Sequence, residues 1–91
     1  MAVIVEIPED MDADGMRRLR PEFEKLADCA DDVELDLSRV DFMDSSGLGG
    51  IVFLYKRLRA KGRDLRLRRV RNQPRNLLHN LGLTNLLASS V

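Results

Sequence analysis

The residues best placed to do chemistry lie in one segment, Val40 to Gly49, which holds two adjacent serines between an aspartate and a glycine. A predicted strand precedes this segment and a predicted helix follows it. In open α/β sheets, ligand sites tend to lie at that edge. Ser45 is placed to cap the helix, since its hydroxyl can accept one of the backbone N–H groups that lack helical partners. Gly47 and Gly49 leave the first turn bare, so a partner's backbone can come close. Taken alone, the pattern also fits a capped helix with no further role.

Hydrophobic periodicity defines the elements that must position this segment. Some stretches alternate apolar and polar residues as strands do, and others repeat apolar residues every three or four positions as helices do. The predicted elements are a strand at 3–7, a helix that starts at Asp12 or Asp14 and fades near Asp28–Asp32, a strand at 33–38, a helix from Ser46 to about Ala60, a strand at 65–70, a helix from Asn72 to Gly82 and a short turn capped by Thr84. This order predicts an α/β fold, with a mostly parallel or mixed sheet and helices packed against it, in a single domain that spans residues 1–91.

Two of the helices carry features that bear on the site. In the first, Pro21 falls inside the apolar pattern, which predicts a kink or a short first segment. In the second, the expected buried stripe consists of Leu48, Ile51, Val52, Tyr55 and Leu58. Gly62 is expected to end that helix. Phe53 lies about 140° around the helix from Leu48, by the geometry of a 3.6-residue turn. It is therefore either a second buried position or an exposed partner contact.

Length and composition narrow the class of protein. The chain has 91 residues, and its content of 44% apolar and 33% charged residues is ordinary for one compact domain rather than a disordered segment. No apolar run approaches the roughly 18 residues of a membrane span, and the N-terminus lacks the basic start of a signal peptide. The single cysteine, Cys29, cannot form an internal disulfide. We therefore expect a cytoplasmic protein with no membrane span.

Charge is divided unevenly along a chain whose formal net charge is zero. Residues 1–44 contain 14 acidic and five basic residues, whereas residues 45–91 contain ten basic residues and one acidic residue. Either the surface is polarised and selects partners by charge, or the two halves neutralise each other in the fold. The basic stretch also raises binding to nucleic-acid or lipid phosphates as an alternative. Few aromatic residues accompany it for base stacking, so we expect no direct nucleic-acid partner.

The serine segment and its flanks resemble the STAS family, in particular the bacterial anti-sigma factor antagonists. Residues 35–49 read LDLSRVDFMDSSGLG. They are similar to the family's pattern of a strand, an acidic or polar turn, a hydrophobic residue, and then Asp-Ser-Ser-Gly-Leu-Gly at the start of an apolar helix. The helix around Tyr55 and the segment from Pro74 to Leu83 look similar as well. The resemblance covers residues 4–87 and is strongest over 35–58.

The resemblance implies a phosphorylation switch. In the family, the first serine of the motif, here Ser45, is phosphorylated by the anti-sigma factor, which is a serine kinase, and a serine phosphatase resets it. The unmodified protein binds the kinase and frees a sigma factor, and the phosphorylated protein releases the kinase. Ser46 is the second candidate acceptor. The expected partner-binding residues are Asp44, Ser45, Ser46, Gly47, Leu48, Gly49 and Phe53. No cofactor or metal site is implied, because ATP and magnesium belong to the kinase.

The acidic surroundings of Ser45 give this switch a physical basis. A phosphate adds about −1.5 to −2 charges. The N–H groups and dipole of a helix N-terminus tolerate that charge. Asp41 and Asp44 already make this corner acidic, so a phosphate would further repel an acidic partner. Asp44 itself has two interpretations: it positions Ser45 or a kinase-bound metal ion, or it only favours the helix dipole.

The N-terminus departs from the family pattern. Family members usually have two strands, joined by a hairpin, before the first helix, whereas here only residues 3–7 precede it. We therefore expect a sheet that is short of one N-terminal strand. Its exposed edge would be a pairing liability or the contact of a homodimer.

The sequence lacks the residue patterns of the common enzyme and metal sites. The chain has one histidine (His79), one cysteine and no metal-ligand spacing, and its glycine-rich turn lacks the lysine of a phosphate-binding loop. We therefore expect that it is not an enzyme. STAS domains also occur in anion transporters, stress-signalling complexes and lipid-transport systems. The lack of a membrane span argues against the transporter itself, and the paired serines favour a phosphorylation switch over the lipid-transport type.

Overall fold

The computed structural model describes residues 2–87. In chain order, its elements are β1 (Val3–Glu6), α1 (Ala13–Ala27), β2 (Val33–Asp36), α2 (Ser45–Ala60), β3 (Leu65–Arg68), α3 (Asn72–Asn80) and a 3-10 helix (Thr84–Leu86). The predicted order of elements and the α/β fold class are confirmed. Each predicted strand extends one or two residues too far. The N–H groups of Ile7 and Leu37 still bond to the neighbouring strand at 3.0 Å, so the chain leaves the sheet gradually.

The three strands form a parallel sheet in the order β1-β2-β3. Val3 pairs with Val33, which pairs with Leu65. Right-handed crossovers between neighbouring parallel strands put α1 and α2 on the same face of the sheet, and these helices pack against each other. Side chains alternate between the two faces of a strand. Accordingly Val33 and Leu65 are fully buried, whereas Ile4 and Arg66 on the other face are exposed. One face of the sheet therefore carries the core.

β1 forms one edge of this sheet. The N–H groups of Val3 and Ile7 donate toward β2 at 2.8 and 3.0 Å. Those of Ile4 and Glu6, which alternate with them, therefore point away from β2. Ile4 is also 56% exposed. Within residues 2–87 no other strand precedes α1, so this is the uncovered edge that the sequence led us to expect.

α1 begins at a side-chain cap and continues through its proline. The Asp12 carboxylate accepts from the N–H of Gly15 at 2.8 Å, which confirms one of the two predicted caps. Pro21 is exposed, and the helix runs without interruption from Ala13 to Ala27. The predicted short first segment is therefore wrong. Because the ring faces solvent, water can bond the carbonyl group that loses its helical donor, and the helix persists.

The buried face of α2 differs from the predicted stripe. Its buried residues are Gly47, Ile51, Leu54 and Leu58. Three of the predicted residues are only half-buried: Leu48, Val52 and Tyr55. The predicted stripe omitted Leu54 because it was centred one residue too late. The core contact of this helix starts at Gly47, where a Cβ atom would lie 2.4 Å from the carbonyl oxygen of Met11. A hydrophobic pattern does not register a glycine as a buried position.

α2 and α3 end at the predicted glycines, but the predicted N-terminal caps of α3 and the 3-10 helix are not found. Gly62 and Gly82, which follow α2 and α3, have φ angles of +73° and +72°, a conformation that favours glycine. The predicted caps Asn72 and Thr84 are wrong, because each is the first residue of its helix and neither helix start has a side-chain cap bond. Asn72 instead has a φ of +56°, which asparagine adopts more readily than most residues.

Alanine should have opposite effects at two glycines of α2. In Gly47→Ala, the new methyl group would lie 2.4 Å from the Met11 carbonyl oxygen and 2.6 Å from the Met11 Cβ. We expect overpacking to lower the unfolding free energy by about 1–3 kcal/mol. In Gly49→Ala, the methyl group meets nothing within 4 Å. Better helix propensity should therefore add about 0.5–1 kcal/mol. Urea unfolding measures both, and equal effects would contradict the close packing of the first turn on Met11.

Candidate functional site

The first turn of α2 is capped by Asp44 and not by Ser45. Asp44 has extended backbone angles (φ −109°, ψ −167°). Its Oδ1 accepts from the N–H groups of Ser46 at 2.8 Å and Gly47 at 3.3 Å. The prediction that Ser45 caps the helix is therefore wrong. Aspartate and serine cap helices about equally well, so the residue type alone does not choose between these neighbours. Ser45 becomes the first residue inside the helix.

Ser45 and Ser46 both lie exposed in this first turn. Because Asp44 supplies the cap, the hydroxyl of Ser45 is not required to satisfy a backbone N–H group. The dipole of α2 favours negative charge at this position. A group added to the Ser45 oxygen would therefore displace no capping contact.

The loop before α2 is joined to the loop before α1 by backbone hydrogen bonds. Met11 donates to the carbonyl oxygen of Phe42 at 3.0 Å and accepts from the N–H of Asp44 at 3.3 Å. Met11 and Met43 form a parallel β-bridge, and both side chains are buried. Asp12, the next residue, caps α1. These contacts fix the starts of the two helices relative to each other.

Two side chains that the sequence analysis did not single out hold the same loop. The Asp10 carboxylate accepts from the N–H groups of Asp41 at 2.8 Å and Phe42 at 3.2 Å. From α3, the Gln73 Oε1 accepts from the N–H of Met43 at 2.8 Å, and its Nε2 donates to the Met43 carbonyl at 2.9 Å. A turn aspartate and a glutamine near a helix start are ordinary surface residues in a sequence. Only the folding of distant segments onto one loop gives them this role.

The corner around Ser45 is acidic, and an arginine reaches it from the loop after β3. Asp10 and Asp41 lie in the two loops that meet beside the cap of α2. Arg71 donates to the carbonyl of Ser38 at 2.8 Å and lies 3.7 Å from the Asp41 carboxylate. Both ends of that ion pair are exposed, so it contributes at most about 1 kcal/mol to stability. Arg71 thus makes two contacts between the loop after β2 and the loop before α3.

Comparison with known proteins identifies the family. The family model described as "Mlab, STAS domain" matches residues 1–88. This chain belongs to the STAS domain family. The resemblance of its serine segment to that family is thereby confirmed. A search of curated proteins found no match.

Two solved structures are similar to this STAS domain. A sulfate transporter family protein from Wolinella succinogenes has a TM-score of 0.76 and 20% sequence identity, over 96% of this chain and 71% of that one. The Bacillus cell fate determinant SpoIIAA, solved in its phosphorylated form, has a TM-score of 0.77 and 18% identity, over 99% of this chain and 83% of that one. At these identities, the similarity shows a shared fold.

The expected partner-binding residues of this STAS domain lie on two sides of α2. On α2, a groove against α1 is lined by Ser46, Gly49, Gly50 and Phe53. Phe53 is 38% exposed, so it lies outside the buried core, and the Arg57 guanidinium lies 5.5 Å from the centre of its ring. Gly47, in contrast, is buried against Met11, and Leu48 is half-buried beside the core. The structure therefore brings Phe53 and the second serine together along one open groove.

Ion pairs connect the acidic first half of the chain with the basic second half. The pairs are Arg57–Asp28 at 3.3 Å, Arg69–Asp36 at 3.8 Å and Arg71–Asp41 at 3.7 Å. Asp36 is nearly buried, which opposes its ionisation. The N–H of Ser38, at 2.9 Å, and the nearby arginines outweigh that effect, so the pKa of Asp36 is lowered. These three contacts neutralise part of the basic second half with acids of the first half.

Residues 2–87, the described part of the chain, contain neither a metal-binding cluster nor a membrane-spanning helix. Within it, no three His, Cys, Asp or Glu side chains converge on a metal site. No helix in that range combines the length and the apolar character needed to cross a bilayer. Cys29 is a free, half-buried thiol.

Removal of the Asp44 carboxylate should lower stability, whereas removal of the Ser45 hydroxyl should not. In Asp44→Ala, the N–H groups of Ser46 and Gly47 lose their acceptor, and we expect a loss of about 0.5–2 kcal/mol in unfolding free energy. Ser45→Ala should stay within about 0.5 kcal/mol of the unmodified protein. Urea unfolding at neutral pH checks both variants. A larger loss for Ser45→Ala would mean that the serine is the cap.

Gln73 should be the strongest polar contact to the serine loop. Gln73→Ala removes both bonds to the partly buried backbone of Met43, so we expect a loss of about 1–3 kcal/mol. The matched control is Asn76→Ala, which removes an exposed amide from the same helix and should change stability by no more than about 0.5 kcal/mol. Unfolding in urea compares the two. If both changes are equally small, the loop does not depend on α3.

Proposed function

We propose that this STAS domain is an anti-sigma factor antagonist, in which phosphorylation of Ser45 controls binding to an anti-sigma factor serine kinase. The unmodified domain holds the kinase and so frees a sigma factor for transcription. The phosphorylated domain releases the kinase, and a serine phosphatase restores the first state. The observation that carries this proposal is the exposed Ser45 in a helix start that Asp44 already caps.

The fold is suited to carry a phosphate at this position. Phosphoserine would add about −1.5 to −2 charges beside the N-terminus of α2, where the helix dipole favours an anion. The backbone that precedes Ser45, residues 42–44, is held by Met11 and Gln73 through bonds that do not involve the Ser45 side chain. Modification should therefore change the charge of the surface and leave the fold in place. The solved phosphorylated form of SpoIIAA supports a phosphate on this fold.

The effect on a partner follows from local charge. Asp41 and Asp44 lie close to Ser45, so phosphorylation increases an existing negative potential. An interface that buries this corner would have to remove water from a dianion without pairing it, which is costly. An acidic partner surface would also be repelled. Release of the partner is therefore the expected consequence.

The remaining parts of the proposal follow from the same assignment. The domain itself acts as a binding module in the cytoplasm and carries out no catalysis, and the kinase supplies ATP and magnesium. Ser46, which is also exposed, is the second candidate acceptor. Residues 1–91 act as one unit.

A homodimer is a further element of this proposal. Edge strands that are not covered pair readily with other strands. The outward N–H groups of Ile4 and Glu6, together with the exposed Ile4 side chain, give β1 the features of such an edge.

A second candidate function is that of a STAS adaptor in a transport complex. One similar structure is that of a sulfate transporter family protein. In such a complex the same end of α2 would contact a partner, but binding would not depend on a phosphate at Ser45. The phosphorylation test separates the two functions.

Phosphorylation should occur once, at Ser45, and should weaken kinase binding. The full chain, Ser45→Ala and Ser46→Ala are each incubated with ATP and the serine kinase that copurifies with the unmodified chain. Intact mass should then show one phosphate on the full chain and on Ser46→Ala, and none on Ser45→Ala. Calorimetry should show kinase binding at least tenfold weaker, or about 1.4 kcal/mol, for the phosphorylated chain and for Ser45→Asp.

Two results would contradict the switch. The first is a chain that acquires no phosphate at position 45. The second is a phosphorylated chain that binds the kinase as tightly as the unmodified one, which would favour the adaptor function.

A further inference from the structure

The outer edge of β1 presents backbone groups that no strand in the described part of the chain uses. Because the alternate residues of β1 donate toward β2, Ile4 and Glu6 direct both an N–H group and a carbonyl oxygen away from the sheet. Ala2 continues this alternation. Pro8, the next residue on the outer side, has no N–H group. A strand that pairs with this edge can therefore bond fully only over residues 2–6.

Two-fold symmetry limits how a second copy of the chain can pair with this edge. In a closed dimer each subunit uses the same surface, so β1 would lie antiparallel to its copy. The outward-facing residues then lie opposite each other, and each opposite pair exchanges two hydrogen bonds. The symmetry axis can pass beside Val3, Ile4, Val5 or Glu6, and each position brings different side chains together.

An axis beside Ile4 gives the most favourable set of opposite residues. On the open face of the sheet it joins the two Ile4 side chains, each of which is 56% exposed in the single copy. On the face that carries the helices, the half-buried Val3 and Val5 of one copy lie opposite Val5 and Val3 of the other. Such β-branched pairs across strands stabilise a sheet. Glu6 faces the small Ala2, so each outward N–H group finds an acceptor.

The other positions of the axis are less favourable. With the axis at Val5, each Ile4 lies opposite the carboxylate of Glu6. With the axis at Glu6, two like charges are directly opposite, and Ile4 meets Pro8, which has no N–H group to donate. With the axis at Val3, the position opposite Glu6 falls outside the described strand. The residues of β1 therefore favour the axis beside Ile4.

The helix above β1 also fits a second copy. The crossover from β1 to β2 places α1 over these two strands, and α2 packs on the β3 side of it. Adjacent strands are about 4.8 Å apart, so pairing β1 with its copy separates the two α1 axes by two strand spacings, or about 10 Å. Packed helices have axes about 8–10 Å apart. The two α1 helices would therefore continue the helical layer without a gap.

The flank of α1 that would face its copy carries both signs of charge. By the geometry of a 3.6-residue turn, Glu22 and Lys25 lie on the flank away from α2, whereas Met16 and Phe23 lie on the flank toward it. Both charged residues are exposed, and neither has an ion-pair partner within residues 2–87. Across a two-fold axis the helices run antiparallel, so Glu22 of one copy can approach Lys25 of the other. A single strand from another protein would bring no helix to this flank.

We propose that two copies of this chain form a dimer in which their β1 strands pair antiparallel about an axis beside Ile4. The two three-stranded sheets then become one continuous sheet. This inference rests on the proposed function for the use of the edge, and it adds the register, the symmetry and the contact between the α1 helices. Because the strands of the two copies run in opposite directions, the Ser45 residues lie at opposite ends of the dimer. Both phosphorylation sites therefore remain exposed.

Single cysteines identify the position of the axis. Ile4→Cys, Val5→Cys and Glu6→Cys are each made in a chain that carries Cys29→Ala, and thermal unfolding verifies that each is folded. Opposite residues of a hydrogen-bonded pair have Cα atoms about 5.5 Å apart, which suits a disulfide. With glutathione disulfide, Ile4→Cys should form a covalent dimer at least tenfold faster than the other two, as followed by non-reducing electrophoresis. Glu6→Cys is the matched control, because it lies on the same edge and the same face of β1.

A proline at position 4 tests the hydrogen bonds of the edge. The N–H group of Ile4 points away from β2, so Ile4→Pro removes a donor from the edge and leaves the pairing of β1 with β2 in place. Ile4→Thr is the matched control, since it keeps the N–H group and the β-branched shape. Sedimentation equilibrium should give a dimer dissociation constant at least tenfold larger for Ile4→Pro than for Ile4→Thr.

Three results would overturn the proposal. The first is an unmodified chain that stays monomeric at the highest concentration reached in sedimentation. The second is faster cross-linking of Val5→Cys or Glu6→Cys than of Ile4→Cys, which would mean a different axis. The third is an equal dissociation constant for the two variants at position 4, which would place the contact between the copies away from the β1 edge.

The dimer and the switch can fail independently. If Ser45 acquires no phosphate but Ile4→Cys cross-links at the expected rate, the dimer holds and the phosphorylation switch is wrong. If Ser45 is phosphorylated and the kinase is released, but none of the three cysteine variants cross-links, the switch holds and the dimer is wrong.

Discussion

The position of the serines depends on how the backbone of Met43 is held. On one side, the preceding and following residues bond to Met11, and on the other side both amide atoms of Gln73 bond to Met43 itself. These backbone groups lie in a loop that packs against the core, where an unpaired polar group costs about 1–3 kcal/mol. Each hydrogen bond made there restricts the movement of the loop. The helix that follows therefore begins at a fixed place.

At this helix start, capping and exposure for modification belong to two different residues. Asp44 satisfies the free N–H groups, and Ser45 is left exposed on the same turn. A modification of Ser45 therefore acts through charge at the surface, since it breaks none of the bonds that hold the loop. The negative charge of a phosphate adds to that of the neighbouring Asp41 and Asp44.

The sequence predicted those features that depend on local patterns. The alternation of strands and helices gave the parallel α/β sheet, Asp12 was among the predicted caps, and the glycines after α2 and α3 have the expected positive φ angles. These features are set by residues close together in the chain. The single strand before α1, with its uncovered edge, was likewise expected from the pattern of residues 3–7 within the described range.

Three of the misses involve contacts between distant segments. The buried face of α2 is set by the approach of Gly47 to Met11, so Leu54 lies in the core although the predicted stripe left it out. The hydrogen bonds between this loop and Met11 determine where the helix begins. They therefore determine that Asp44, and not Ser45, is the cap. The role of Gln73 requires that α3 fold back onto that loop. None of these contacts leaves a periodic signal in the sequence.

The central claim is that phosphorylation of Ser45 changes the surface and not the fold. Amide hydrogen exchange tests it most directly, with phosphoserine placed at position 45 by genetic-code expansion so that no kinase is needed. The account predicts that the amides of Met43 and Gly47 keep the protection they have in the unmodified chain, because their acceptors on Gln73 and Asp44 are unaffected. A loss of protection across residues 40–50 would contradict it, since the phosphate would then act by releasing the loop.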